Sequence, residues 1–193
     1  NSPLIGEHNA YNISGAAILA VKLGVGHDII QSVLERPISI PGRLEAFHTK
    51  NNVSIFVDYA HTDDALQRVL EALTRLKEKR IICVFGCGGD RDRTKRARMG
   101  AVSAKFADRT IVTSDNPRTE DPDSIIAGIV KGIPSSADFA TVPDRREAIR
   151  LAVGEAVSGD IVLIAGKGHE NYQEINGVQH HFDDCEEVRK LLG

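Results

Sequence analysis

Residues 80–98, RIICVFGCGGDRDRTKRAR, set the reading of the fold. Ile81 to Phe85 is a short, unbroken apolar run. It gives way to a glycine-rich loop and then to a polar stretch of helix-forming residues. A strand without polar alternation suits a parallel sheet covered by helices on both faces. The same unit recurs along the chain. Strands are predicted at Val53–Val57, Arg80–Phe85, Arg109–Thr113, Phe139–Val142 and Asp160–Ile164, and helices at Asp63–Lys77, Lys95–Ala107, Asp123–Lys131 and Asp144–Val157. This alternation predicts an α/β domain built on a Rossmann-like, doubly wound, mostly parallel sheet.

Both ends depart from the pattern. Tyr172–Ile175, Asn176-Gly177 and Val178–Phe182 read as a hairpin with an Asn-Gly turn, expected to add an antiparallel C-terminal edge to the sheet. A last helix is expected over Asp184–Leu192. Residues 1–41 read as helical: Ala10–Leu23 is closed by Gly24 and Gly26, and Asp28–Leu34 stops before Pro37. SIPGR, residues 39–43, reads as a linker, so two domains are expected, 1–41 and 42–193.

The totals narrow the function classes. The chain has 193 residues, 41% hydrophobic and 26% charged, which fits a folded globular protein rather than a disordered one. A net charge of −3 argues against nucleic-acid binding by bulk attraction. No apolar run reaches the ~20 residues of a membrane helix, and no secretory leader opens the sequence. Cys83, Cys87 and Cys185 form no C-x-x-C pair and read as buried thiols in a reducing compartment.

In sheets of this class ligands bind beyond the carboxyl ends of the strands. Polar motifs follow all five predicted strands: VDYAHTDD, GCGGDRDRTKR, SDNPR, Val142-Pro-Asp-Arg and AGKGHE. The second opens a helix, and glycines plus a helix N-terminus suit an anion. Five cations, Arg91, Arg93, Lys95, Arg96 and Arg98, follow within eight positions, although Asp90 and Asp92 allow internal pairing. Neither a Walker loop nor a dinucleotide fingerprint is present. Asp58 is placed to accept from ribose hydroxyls, with His61 beside it and Thr62 as a helix N-cap. Asn9 and Asn12 share one side of a helix start and could meet an adenine edge or simply cap. In TSDNPRTEDP, residues 113–122, Pro117 fixes the turn, Asp115 and Asn116 could take an ammonium, and Arg118 could fork a carboxylate. Read locally, this is either a charged turn or a clamp for a zwitterionic amino acid.

Taken in order, GEHNAYN (6–12), PGRLE (41–45), VDYAHT (57–62), FGCGGDRDRTKR (85–96), TSDNPRTEDP (113–122) and AGKGHE (165–170) resemble the Mur ligases of peptidoglycan synthesis, over essentially the whole chain. The resemblance implies the end of a central ATPase domain (1–41) followed by the C-terminal, amino-acid-binding domain (42–193) of a longer protein. That protein would be an ATP- and Mg2+-dependent, amide-forming enzyme of the bacterial cytoplasm, with the N-terminal domain and the rest of the central domain absent here and this piece inactive alone. DNPR implies meso-diaminopimelate as the incoming amino acid, rather than lysine, and UDP-MurNAc-L-Ala-D-Glu as its acceptor. By matched position, Arg91, Asp115, Asn116, Pro117, Arg118, Gly166 and Glu170 line the diaminopimelate site, while Asn9, Asn12, Arg43, Asp58 and His61 fall at nucleotide positions. No metal ligand and no secure catalytic base is implied; His169 is the residue weighed as a base. A monomer is expected. Asp63 and Ala97 stand where the family usually or often has proline, at predicted helix starts that accept either residue. The alternative is a related Mur or folylpolyglutamate-type ligase domain that acts only as an amino-acid binding module.

Overall fold

The computed structural model describes residues 7–36 and 40–193. Gly6 of the GEHNAYN motif, the expected stop at Pro37 and the start of the SIPGR linker at Ser39 lie outside them. The chain divides into two compact units, residues 1–40 and 41–193.

The first unit holds α1 (Glu7–Lys22) and α2 (His27–Leu34). α1 starts three residues before the predicted Ala10 and carries both Asn9 and Asn12. Gly24, at φ +83°, turns the chain between the helices. Ala17, Val21, Ile30 and Leu34 line the groove between α1 and α2.

The second unit contains β1 (Glu45–His48), β2 (Ser54–Asp58), α3 (Asp63–Thr74), β3 (Ile81–Phe85), α4 (Thr94–Phe106), β4 (Arg109–Val112), α5 (Pro122–Val130), β5 (Phe139–Thr141), α6 (Arg145–Glu155), β6 (Ile161–Ala165), β7 (Tyr172–Ile175), β8 (Val178–His181) and α7 (Asp184–Leu192). The main sheet has six strands in the order β1-β2-β6-β3-β4-β5. β2, β6, β3, β4 and β5 are parallel, and β1 runs antiparallel to β2. β6 returns between β2 and β3, which brings three loop-bearing carboxyl ends side by side.

Strand side chains alternate between faces. Ile55, Val57, Ile82, Val84, Ile111, Val162 and Ile164 form one core with Ala148, Ile149 and Ala152 of α6 and Cys185 and Val188 of α7. The intervening Phe56, Ile81, Cys83, Phe85 and Leu163 are buried as well, on the face left to α3 and α4, whose Leu66, Leu70, Leu73 and Met99 are buried. Burial on both faces is why these strands read as continuous apolar runs. Side chains of Thr62, Asp121, Asp144 and Asp183 cap α3, α5, α6 and α7 by accepting a backbone N–H.

One placement differs from the sequence-based expectation. The C-terminal hairpin forms with its Asn176-Gly177 turn, but β7 and β8 make a separate two-stranded sheet. The antiparallel edge of the main sheet is instead β1, a four-residue strand with every second residue exposed, too short and too polar to stand out in the sequence.

A buried ion pair joins α6 to α7, which share one face of the sheet. The Arg145 guanidinium has no solvent exposure and forks onto Asp184, Nε to Oδ1 at 2.8 Å and Nη2 to Oδ2 at 2.8 Å. It also donates to the Ser114 and Ala165 carbonyls at 3.3 and 3.0 Å, beyond β4 and at the end of β6. Asp184→Ala is expected to cost about 3–5 kcal/mol of unfolding free energy, because it leaves a buried guanidinium without its counter-charge. An Arg145→Met, Asp184→Leu double variant should lose less than either single replacement, and urea denaturation measures both.

Candidate functional site

Three loops converge at the carboxyl ends of β3, β4 and β6: residues 86–93, 113–121 and 166–170. Close approach is possible because glycine stands at the contacts. A Cβ on Gly89 would lie 1.9 Å from the Pro117 carbonyl oxygen, and one on Gly166, at φ +117°, 2.6 Å from an Asp115 carboxylate oxygen. The first two loops are then stitched together. Gly89 N donates to Asn116 O at 2.9 Å, Asp90 N donates to Glu120 Oε1 at 2.7 Å, and Thr119 donates to the Asp90 carboxylate from both backbone and hydroxyl. Arg96 forks onto Glu120 at 2.8 and 3.1 Å, with Arg93 joining at 3.1 Å.

The cation cluster is therefore mostly committed internally. Arg93 and Arg96 serve Glu120, Arg98 pairs with Asp63 at 2.8 Å, and Lys95 donates to the His61 carbonyl at 2.8 Å. Arg91 is exposed and, among the described residues, reaches only the neighbouring Asp90 carbonyl, at 3.3 Å. It stands across Gly88 from Arg118: a Cβ there would meet Arg118 Nη1 at 2.9 Å and Arg91 Cγ at 3.8 Å.

Asp115, Asn116 and Pro117 are buried, and Arg118 is half-buried. Asn116 joins all three loops. Its Oδ1 accepts from Lys167 Nζ at 2.9 Å and from Glu174 N at 3.0 Å, and its Nδ2 donates to Glu170 Oε2 at 2.9 Å. Arg118 sits at φ +53°, in the left-handed region that non-glycine residues rarely occupy. The hairpin holds it there. Arg118 N donates to Glu174 O at 3.0 Å, and Asn176 N donates to Arg118 O at 2.8 Å. Its guanidinium is aimed by Glu174, 3.1 Å from Nε, and by Gly89 O, 2.8 Å from Nη1. Its other N–H donors have no hydrogen-bond partner among the described residues.

The positions assigned to a nucleotide fall in two places. Asn9 and Asn12 lie in the first unit, on α1, Asn9 half-buried and Asn12 exposed. In the second unit, Asp58 lies at the end of β2 and accepts from Leu44 N and Ala60 N, both at 2.8 Å. Its carboxylate thus braces the 42–44 turn, which carries Arg43, before it can serve any ribose. Arg43 is exposed and lies over the Tyr59 ring at 5.3 Å, while His61 and His169 pack against the same ring at 4.6 and 5.0 Å. Tyr59 OH lies 3.5 Å from Glu170 Oε1, linking this cluster to the amino-acid side, and burial first, then Glu170, raises the Tyr59 pKa. Among the described residues no group of three or more His, Cys, Asp or Glu is arranged to hold a metal ion. All three cysteines are buried and free of disulfides, and burial pushes the Cys83 and Cys87 thiols up to about 12.

The structure brings Arg91, Asp115, Asn116, Pro117, Arg118, Gly166 and Glu170 together on the three loops. Sequence reasoning gave no role to Glu174 or Asp184. Glu174 looks like an ordinary polar residue of a hairpin, and Asp184 like the charged start of a helix. Arg145 stood out only as the last residue of a polar strand-end motif.

Loops grouped at the carboxyl ends of parallel strands define a doubly wound α/β domain. The family model described as "Mur ligase, glutamate ligase domain" matches residues 42–168, and the chain belongs to the Mur ligase family. It is 48% identical over 204 residues to a UDP-N-acetylmuramoyl-L-alanyl-D-glutamate–2,6-diaminopimelate ligase of Geobacter metallireducens, covering 97% of this chain and 40% of the relative. The ligase of the same name from Syntrophomonas wolfei is 47% identical over 194 residues, covering 100% of this chain and 40% of the relative. A solved structure of a ligase with that name superposes with a TM-score of 0.79 at 47% identity, over 100% of this chain and 39% of that one. A Mycobacterium tuberculosis folylpolyglutamate synthase shares the fold, with a TM-score of 0.70 at 20% identity over 100% of this chain and 41% of that one. The chain spans about 40% of the length of the curated relatives it matches.

The Glu120 clasp titrates. Hydrogen bonds from Arg96 first, then from the Asp90 N–H, hold its carboxyl at about 2 instead of the ordinary 4.5. A carboxylate with a depressed folded-state pKa adds stability that is fully present above its unfolded value and is lost as pH falls through the folded one. The melting temperature should therefore decline between about pH 4.5 and pH 2. Glu120→Gln should flatten that part of a calorimetric pH series and lower stability at neutral pH.

Proposed function

We propose that this chain is the amino-acid-binding part of an ATP-dependent ligase that adds meso-diaminopimelate to UDP-MurNAc-L-Ala-D-Glu. The observation that carries this is the Arg118 guanidinium, fixed by Glu174 and Gly89 with donors to spare, beside the Asn116–Glu170 pair. A planar cation for a carboxylate and a carboxylate for an ammonium, held at fixed positions, match one end of a zwitterion. Diaminopimelate differs from lysine by the carboxylate at its far end, and Arg118 is the partner for that group. Arg91, across Gly88, adds a second positive charge on the same side.

ATP, when bound, supplies the phosphoryl group that activates the acceptor carboxylate. Arg43 and Asp58 are the residues of the second unit proposed to hold it; Asn9 and Asn12 of the first unit are proposed as nucleotide positions from their motif alone. His61 completes that set from the Tyr59 cluster. Arg43 fits an anion, being an exposed guanidinium on a turn that the Asp58 carboxylate braces through the Leu44 N–H. The domain's own contribution to the rate is orientation. A diaminopimelate held at its carboxylate and ammonium presents the attacking amine at a set position, which removes entropy from the bimolecular step. The divalent ion that accompanies ATP is assigned no ligands among the described residues. The reading takes the protein as a monomer that acts on soluble, nucleotide-linked substrates in the cytoplasm.

Titration calorimetry of this chain tests the assignment. The wild type should bind meso-diaminopimelate more tightly than lysine. Arg118→Ala should weaken meso-diaminopimelate by about 10- to 100-fold and leave lysine nearly unchanged, since only the former loses a charge-assisted pair. Equal affinity of Arg118→Ala and wild type for meso-diaminopimelate overturns the clamp.

A further inference from the structure

Lys167 is the anomaly of the site. Its side chain is fully buried, with no solvent exposure, at the start of the 166–170 loop. Removing an ammonium from water is costly, and an apolar residue of the same length would pack there more cheaply. Its surroundings show what the charge does. Nζ lies 2.9 Å from Asn116 Oδ1, 3.5 Å from Glu170 Oε2 and 3.9 Å from Asp115 Oδ1, and 5.6 Å from the centre of the Tyr172 ring. Its three polar neighbours are all residues that the proposed function gives to the amino acid. Lys167 itself, with no exposed surface, cannot touch that ligand.

The geometry has a direction. An asparagine amide can sit either way round unless its neighbours choose. Here two donors, Lys167 Nζ and Glu174 N, converge on Oδ1, so the amide NH2 must face the other way, toward Glu170 Oε2 at 2.9 Å. Oε2 is then held by both Asn116 and Lys167. Among the described residues the second oxygen, Oε1, has only the long contact to Tyr59 OH at 3.5 Å. One oxygen of Glu170 is thus held twice, while the other has a single long contact among the described residues. Burial lowers the Lys167 pKa, and Asp115 and Glu170 oppose that shift.

We propose that Lys167 is a positioning residue for the amino-acid site: it locks the Asn116 amide and one oxygen of Glu170, so that the other oxygen of Glu170 faces the ammonium group of the incoming amino acid. This rests on the amino-acid site proposed above. It makes the ammonium half of recognition depend on Lys167 and the carboxylate half, at Arg118, independent of it.

The test is a comparison of two ligands on the 193-residue chain. meso-Diaminopimelate carries ammonium and carboxylate groups; pimelate keeps both carboxylates and lacks both amines. Lys167→Met should weaken meso-diaminopimelate at least about 10-fold, the loss expected for a misplaced charged hydrogen bond, and change pimelate less than about 2-fold. In the ligand-free chain, the side-chain NH2 signals of Asn116, assigned by their loss in Asn116→Asp, should be slow to exchange in the wild type. They should exchange faster in Lys167→Met. Should the Met variant fail to fold, Lys167→Gln keeps a donor without the charge, and the same split between the two ligands is expected of it.

Unchanged affinity of the folded variant for meso-diaminopimelate overturns the inference and leaves the site standing. Equal losses for both ligands, with the Asn116 signals unmoved, overturn it in favour of a purely structural ion pair. A wild-type chain that binds neither compound overturns the amino-acid site, and the inference with it.

Discussion

The Arg145 guanidinium, buried between two helices and two strand ends, is the contact on which the arrangement of the site depends. Its fork onto Asp184 ties α6 to α7. Its remaining donors take the Ser114 and Ala165 carbonyls, one residue before Asp115 and one before Gly166. Those carbonyls belong to the points where two parallel strands stop and the site loops begin. A parallel sheet supplies no hydrogen-bond partner for the backbone beyond its last rung, and buried carbonyls need one. A single planar cation with five donors meets that need at two strand ends at once. The arrangement works because the guanidinium is itself neutralised within the same cavity.

With the strand ends fixed, the loops are shaped by contact with each other rather than by their own propensity. The glycines at 86, 88 and 89 let the loop after β3 lie directly on the backbone of the loop after β4. Glu120 then gathers Arg93, Arg96 and the Asp90 N–H into one network. Most of the positive charge that makes this segment resemble an anion site is consumed there. Geometry selects which cations stay uncommitted among the described residues: Arg91, with no carboxylate partner there, and Arg118, whose partners aim it without exhausting it.

The strain at Arg118 fits the same logic. A non-glycine residue in the left-handed region costs of order 1 kcal/mol or more and persists only where its surroundings overdetermine it. The β7–β8 hairpin does this through two backbone hydrogen bonds and the Glu174 carboxylate. The hairpin stands apart from the main sheet, so the structure gives it a different task from extending an edge. It is the support of the residue proposed to distinguish diaminopimelate from lysine. Asn116 and Lys167 are proposed to play the matching part for the ammonium side.

Much of this was legible in the residues alone. Continuous apolar runs such as Ile81–Phe85 and Ile161–Ala165 dictate a sheet buried on both faces. Hydrophobic burial is local in sequence and leaves its period on the chain. The Asn-Gly turn, the Thr62 cap and the grouping of site residues at strand ends follow from equally local rules. Other features came only from tertiary structure. Glu45–His48 is a strand because β2 offers it an edge, not because of its own pattern. Cations that look alike in sequence, Arg91 and Arg96, differ in availability because only one of them has Glu120 within reach. Asp58, which reads as a ribose acceptor, first holds two backbone N–H groups. Arg145 and Asp184 are 39 residues apart and nothing in either segment announces the other. Secondary structure and burial are set by neighbours along the chain. Which charges are spent and which are presented is set by neighbours in space, and only the folded arrangement of the loops decides that.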